Sequence, residues 1–278
     1  MSRLCLESLP RCLNEKVCQG LQDLDKIFAS LWFNPNYVVT GTKNNKLLVW
    51  DVTRYPYCHR TIELPKTPTP LPPSNCGIHS LAVNPSETYL ASGSDNPSEI
   101  ALFELPTFKP VVVLTGHEDW SFCCSFVGED RVISGSRDRT VCLWSVARVS
   151  SNEGTTLREP LITKVEHQGK VRALVVAHKR KYFSTLGVEG TIKYWDQERF
   201  EVTNTVPVPE TPELVCMALN EDIGLSAVGS QTLVSFFDEK SGTNTFVQKS
   251  INDDWGNLLM IQTARQMFLL SRGPVAYF

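Results

Sequence analysis

The sequence predicts an all-β fold in which short antiparallel blades repeat around a ring, a β-propeller. Three observations predict it. First, the stretch from Thr115 to Val146 reads as one complete blade. Gly116-His117 opens it, and an apolar-alternating run follows from Trp120 to Phe126. Gly128, Glu129 and Asp130 turn the chain into a second run from Arg131 to Ser136, and Arg137-Asp138-Arg139 turns it into a third from Thr140 to Trp144. Short runs of period-two alternation bounded by turn residues are strands. Second, closing dipeptides recur at Trp50-Asp51, Phe103-Glu104, Trp144-Ser145, Trp195-Asp196 and Phe237-Asp238, with spacings of 53, 41, 51 and 42 residues. Third, a small-residue turn precedes each one, at Gly41, Gly93, Gly135, Gly187 and Gly229. A Gly-His opening and a Trp-Asp-like close about 40 residues apart mark the WD-repeat type of blade.

Each element then follows in order. Residues 1–25 form a separate segment, in which Ser8 is placed to cap a helix and Pro10 suits its first turn. Leu9, Leu13, Val17, Leu21 and Leu24 follow helical spacing. A short helix is expected, either covering the propeller edge or docking in a partner's groove. The propeller occupies 26–278, with five full blades and a partial sixth. Blade one runs from Lys26 to Val52, blade two from Gly77 to Leu105, blade four from His167 to Gln197 and blade five from Thr211 to Glu239. Blade four keeps His167, Trp195 and Asp196 but has Glu189 where blade three has Asp138. A sixth unit begins near Trp255, and the sequence ends at Tyr277-Phe278 within its third strand, as expected of a shortened copy of a seven-bladed parent. Two insertions lengthen the repeat. Thr53 to Asn75 carries a proline-rich stretch, a solvated spacer. Ala147 to Glu166 is polar and reads as a flexible loop.

Composition narrows the function. Hydrophobic content of 42% and charged content of 21% are those of a globular chain, and a net charge of −3 disfavours general nucleic-acid binding. No run of 18 apolar residues exists, so no membrane helix is expected. The nine cysteines include no C-x-x-C pair, and buried reduced thiols of an intracellular protein are the expectation. His59, His79, His117, His167 and His178 show no metal-ligand spacing, and phosphate-binding loops and nucleophile elbows are missing. No cofactor, metal or enzymatic activity is expected. His117 and Asp138 belong instead to a buried network that extends to a strand hydroxyl (Ser134 or Ser136) and the Trp144 indole N–H.

What remains is a binding surface. The residue just before the turn aspartate, in the turn between the second (b) and third (c) strands of a blade, projects at one rim of a propeller, and the start of each inner strand lines the same rim. The first position reads Lys43, Ser94, Arg137, Val188, Ser230 and Arg272. The second adds Lys26, His79, Lys170 and Arg172. Cations far apart in sequence therefore gather at one rim of an acidic chain, which suits recognition of carboxylates.

At these residues a family becomes recognisable. Leu24-Asp-Lys-Ile-Phe-Ala-Ser30, Val39-Thr-Gly-Thr-Lys43, Cys76-Gly-Ile-His79, Asn84-Pro-Ser86, Gly93-Ser-Asp-Asn-Pro97, Gly116-His-Glu-Asp-Trp120, Ser134-Gly-Ser-Arg-Asp138, Lys170-Val-Arg-Ala-Leu174 and Ala227-Val-Gly-Ser-Gln231 closely resemble the cullin-4-associated WD-repeat receptors of the factor-twelve type. The likeness runs from about Leu9 to Ser235. The resemblance implies a substrate receptor of a cullin-4 RING ubiquitin ligase, docked on the adaptor damage-specific DNA-binding protein one and acting in cytoplasm and nucleus. It also implies recognition of acidic C-terminal tails ending in two glutamates. Lys26, Lys43, Arg137, Lys170 and Arg172 fall on basic positions of the family pattern, with His79 and Arg272 as additional candidates. A basic residue of the family early in blade six is replaced around Asn257-Leu258, and the family's N-terminus is longer and more basic. A general WD-repeat scaffold without such a pocket is the alternative.

Overall fold

A computed structural model describes residues 25–54, 57–66, 77–147, 155–208, 214–221, 224–230, 233–238, 244–249, 258–262 and 267–271. Among them every regular element is a strand. Blade one is the antiparallel sheet β1 (Ile27–Asn34), β2 (Tyr37–Thr42), β3 (Leu47–Asp51) and β4 (Cys58–Ile62), in that spatial order. Blade two comprises β5 (Leu81–Val83), β6 (Tyr89–Gly93), β7 (Ile100–Glu104) and β8 (Lys109–Leu114). Blade three comprises β9 (Ser121–Val127), β10 (Arg131–Ser136), β11 (Thr140–Ser145) and, outermost, β13 (Ile162–Val165). Blade four is β14 (Val171–Ala177), β15 (Tyr182–Gly187), β16 (Thr191–Asp196) and β17 (Glu201–Pro207). Blade five is β18 (Leu214–Asn220), β19 (Leu225–Ser230), β20 (Leu233–Asp238) and β21 (Asn244–Lys249). A two-stranded sheet of β22 (Leu258–Gln262) and β23 (Met267–Ser271) follows. The expected N-terminal helix lies almost wholly outside the described residues, as do Arg272 and most of the proline-rich stretch.

The insertion after Val146 departs from the expected loop. Two strands lie within it. β12 (Thr156–Arg158) pairs in parallel with β8, giving blade two a fifth strand, and β13 closes blade three against β11. Ile162-Thr-Lys-Val165 alternates as an edge strand should. Three-residue β12 gives almost no period to read, and its partner lies in the preceding blade.

Burial on both faces explains the near-continuous apolar runs of the middle strands. Side chains alternate across a strand, so each blade feeds two cores. Val132 and Trp144 pack with Leu102, Val112 and Phe126 between blades two and three. Their neighbours Ile133 and Leu143 pack with Val171, Phe183 and Trp195 between blades three and four. The other interfaces repeat the arrangement, with Phe103 facing blade one and Phe237 facing blade four. The closing aromatics of blades two to five, Phe103, Trp144, Trp195 and Phe237, thus pack back onto the previous blade. Phenylalanine serves in blades two and five because volume, rather than the indole N–H, is what that core requires.

The close approach of blades needs glycine on β2 and β10. A Cβ on Gly41 would lie 2.5 Å from the Ile78 side chain, and one on Gly135 would run into Val171. A residue of the next blade fills the notch in each case, Ile78 just ahead of β5 and Val171 at the start of β14. Gly135→Ala should therefore cost about 1–3 kcal/mol by overpacking, read from denaturant midpoints. An unchanged midpoint would show that the notch can open freely.

At the end of the blades where β9 turns into β10, a carboxylate ties neighbours together. Glu129 Oε2 accepts bonds from Asn84 Nδ2 (2.7 Å), Ser86 Oγ (2.7 Å) and the Ser86 backbone N–H (3.2 Å) of blade two. Glu221 of blade five does the same for the backbone N–H groups of His178 and Lys179. These ties fix one end, so the opposite end, where inner strands begin, is held in register.

Candidate functional site: a cation-bearing aromatic rim

One register recurs at the start of four inner strands. The pairing of β1 with β2 slips between Ile27 and Ala29, leaving Phe28 as an extra residue. The same slip occurs around Phe122 in β9, Arg172 in β14 and residue 215 in β18. His79 occupies the corresponding place just before β5. A bulge bends the strand and re-aims the side chain it frees. The backbone around it repeats too: Lys43 N–H donates to Lys26 C=O (2.8 Å), Arg137 N–H to Trp120 C=O (2.8 Å) and Val188 N–H to Lys170 C=O (3.1 Å). Blades one, three and four thus each contribute a residue before the inner strand, a bulged residue and a residue before the b–c turn.

The bulged residues meet across blades. Phe28 stacks on His79 with centroids 4.6 Å apart and planes 13° apart. His79 meets Phe122 edge to face at 5.0 Å, and Phe122 meets Trp120 edge to face at 6.3 Å. Two guanidinium groups lie on this ladder. Arg172 Cζ is 4.5 Å from the Phe122 centroid, and Arg137 Cζ is 5.2 Å from that of Trp120. Asp119 also holds Arg137, through Nε at 3.5 Å, while its other oxygen accepts the Trp120 backbone N–H (2.8 Å). Gly77 leaves room for the stack. It sits at φ +83°, where lysine or tryptophan stands in blades one, three and four, and a Cβ there would lie 2.6 Å from the Phe28 ring.

The rim residues expected from sequence therefore divide. His79, Arg137 and Arg172 share one ladder. Lys26 and Lys43 are joined to each other through the backbone and stand exposed beside Phe28, and Lys170 is half-buried two residues before Arg172. The ion pairs among the described residues involve none of these three lysines. Phe28, Trp120 and Phe122 are the rim members that sequence reasoning did not single out. The signal was their shared offset from the glycine of β2 and β10, not their type.

Beneath the rim lies the blade network. In blade three His117 Nε2 pairs with Ser134 Oγ (2.6 Å), and Nδ1 pairs with Asp138 Oδ2 (3.1 Å) and Thr140 Oγ1 (2.8 Å). Asp138 also accepts the backbone N–H groups of Glu118 (2.9 Å) and Thr140 (2.8 Å). The expected Trp144 bond is not made. Its Nε1 is buried without a partner, and the indole instead meets the His117 ring edge to face at 5.3 Å. Blade four completes the circuit: His167 bonds Glu189 (2.5 Å) and Thr185 (2.7 Å), and Trp195 Nε1 donates to the same Thr185 hydroxyl (2.8 Å). Trp50 donates likewise to Thr40 (2.8 Å). Threonine stands at this position in both blades whose tryptophan N–H is bonded, and serine in blade three.

Burial opposes charge at each member, and the partner outweighs it. Burial pushes His117 down, but the bond to Asp138 and the nearby Cys142 raise its pKa to about 9. Burial pushes the carboxyls up, but their histidines and hydroxyls hold Asp138 well below the usual range and Glu189 at about 2. The carboxylates therefore stabilise the fold above their ordinary values of 3.8 and 4.5 and lose that contribution as pH falls. His117 stabilises below its ordinary 6.5 and loses its contribution as pH rises through about 9. Denaturant midpoints should plateau between about pH 5 and 6.5 and fall on both sides. A profile flat from pH 3 to 9 would contradict these assignments.

The network is buried and repeated, which fits a structural role. Burial pushes the Cys123 thiol up to about 12 and Cys124 to about 11, so both are inert packing groups. Among the described residues there is no metal-ligating cluster, and no helix is long and apolar enough to cross a membrane.

Comparison with known proteins agrees with this geometry. The chain is 27% identical over 186 residues to a guanine nucleotide-binding protein subunit beta of Dictyostelium discoideum, covering 64% of this chain and 48% of that one. It is 28% identical over 171 residues to pre-mRNA-processing factor 19 homolog 2 of Arabidopsis thaliana, covering 60% and 31%. The chain thus spans half or less of these curated relatives. The profile of the DDB1- and CUL4-associated factor 12 beta propeller matches residues 9–269. With that match across nearly the whole sequence, the chain belongs to the DDB1- and CUL4-associated factor 12 β-propeller family.

Proposed function

We propose that this protein is a substrate receptor of a cullin-4 RING ubiquitin ligase, without chemistry of its own, and that its rim takes acidic C-terminal tails ending in two glutamates. The observation that carries the reading is the pairing of two guanidinium groups, Arg137 and Arg172, on one aromatic ladder in a chain of net charge −3. Such a tail presents three carboxylates within a few ångströms, counting its terminus. Arg172 is the principal contact and Arg137 the second, with Lys26, Lys43 and Lys170 supplying long-range attraction. His79, between Phe28 and Phe122, supplies a flat polar edge. Family membership supports the adaptor, DDB1, as the link to the ligase; action in cytoplasm and nucleus is part of the same proposal. Two separate tests apply. Purified protein mixed with the adaptor should co-elute from a sizing column, and separate elution at micromolar concentration would reject the ligase assignment. A fluorescent Glu-Glu-ending peptide should bind the protein alone, and no binding would reject the rim while leaving the scaffold role.

A further inference from the structure

The aromatic ladder raises a question that the carboxylate reading does not answer. Cations on loops are adaptable, yet these two arginines stand on rings of one short stretch, Trp120 and Phe122. Trp120 precedes β9 and Phe122 lies in its bulge. Phe122 is 7% exposed, so its ring serves the rim from below. It touches three blades at once: Arg172 of blade four on its face, His79 of blade two at 5.0 Å, and its own blade's Trp120 at 6.3 Å.

We propose that Phe122 is the positioning residue of the rim, fixing Arg172 and, through Trp120, its distance from Arg137, so that the pair matches two neighbouring carboxylates. This rests on the proposed reading of the rim as a carboxylate site. A ring under a guanidinium holds it by cation–π attraction and removes rotamers that binding would otherwise have to freeze. Arginine, planar and delocalised, stacks well, whereas a lysine ammonium is a hydrated point charge and does so less well. The arrangement therefore depends on the shape of both groups and not on charge alone.

The test uses variants that leave every rim charge in place. Phe122→Leu removes the ring, Phe122→Tyr restores one, and Arg172→Lys keeps the charge without the planar fork. In the free protein, the ring current of Phe122 should move the Arg172 side-chain protons upfield in NMR spectra. That shift should vanish in Phe122→Leu and persist in Phe122→Tyr. For the Glu-Glu-ending peptide, Phe122→Leu and Arg172→Lys should each weaken binding by on the order of three- to tenfold, Phe122→Tyr should bind as wild type, and the salt slope should not change. The Phe122→Leu/Arg172→Lys double variant should lose little more than either single one. Unshifted Arg172 resonances in the wild type would overturn the proposal, as would wild-type affinity in Phe122→Leu. Because the NMR readout needs no ligand, absence of peptide binding would sink the carboxylate reading while the ring-current shift still decides whether Phe122 holds Arg172. Where Phe122→Leu is too unstable to assay, the Arg172 ring-current shift in the wild type and in Phe122→Tyr decides the proposal.

Discussion

Asp138→Ala lowers the stability of the propeller by about 3 kcal/mol, the cost of removing one partner of a buried, hydrogen-bonded pair. Asp138 accepts bonds from His117, the Thr140 hydroxyl and two backbone N–H groups, and its side chain is 8% exposed. With it gone, His117 stays buried and loses the partner that raises its pKa. Blade four shows why the longer carboxylate is no remedy. Glu189 fits there because residue 187 is glycine, and a Cβ at that place would strike the Glu189 carboxylate. The corresponding residue of blade three is Ser136, whose hydroxyl donates to Asp119 C=O (3.0 Å) and accepts the Asp138 N–H (3.1 Å). Asp138→Glu should therefore destabilise by about 2 kcal/mol, and Ser136→Gly in the same chain should recover part of it. Urea midpoints of the single and double variants measure this. Additive losses would show that the space beside residue 136 does not govern which acid is used.

Arg172→Glu weakens binding of a Glu-Glu-ending peptide by about a hundredfold. A charge-assisted bond contributes roughly 1.5–3 kcal/mol, and the introduced carboxylate adds repulsion to its loss. Arg137→Glu has a smaller effect, roughly tenfold, because the Arg137 side chain is 51% exposed and solvent screens it. Arg137 is also partly neutralised by Asp119, whereas Arg172 lies half-buried against an aromatic face. Stability should hardly change in either variant, which distinguishes this pair from Asp138. Equal losses for the two arginines would mean that burial does not set their ranking.

The blade pattern was legible because it is periodic. His117 with Asp138, and His167 with Glu189, recur at nearly the same separations, 21 and 22 residues, so the repeat named the partners before any coordinate did. The cations of the rim were legible for the same reason. Phe28, Trp120 and Phe122 were not singled out, since an aromatic opening an alternating strand reads as ordinary core. Only a one-residue slip in pairing, invisible in composition, turns Phe28 and Phe122 toward the rim. The Trp144 N–H departs from the expected network: Thr185 accepts the Trp195 N–H while bonded to His167, whereas Ser134, at the same place in blade three, bonds His117 without reaching the indole. β12 escaped because three residues in parallel with another blade carry no local signal.

The most direct measurement of the central claim is a titration of three labelled peptides of one sequence against the wild-type protein. One ends in Glu-Glu with a free carboxylate, one has that terminus amidated, and one ends in Gln-Gln. The carboxylate rim predicts tight binding of the first, at least tenfold weaker binding of the other two, and an affinity for the first that falls with added salt. Equal binding of all three, unaffected by salt, would contradict the rim as a carboxylate site and leave the protein as a plain propeller scaffold.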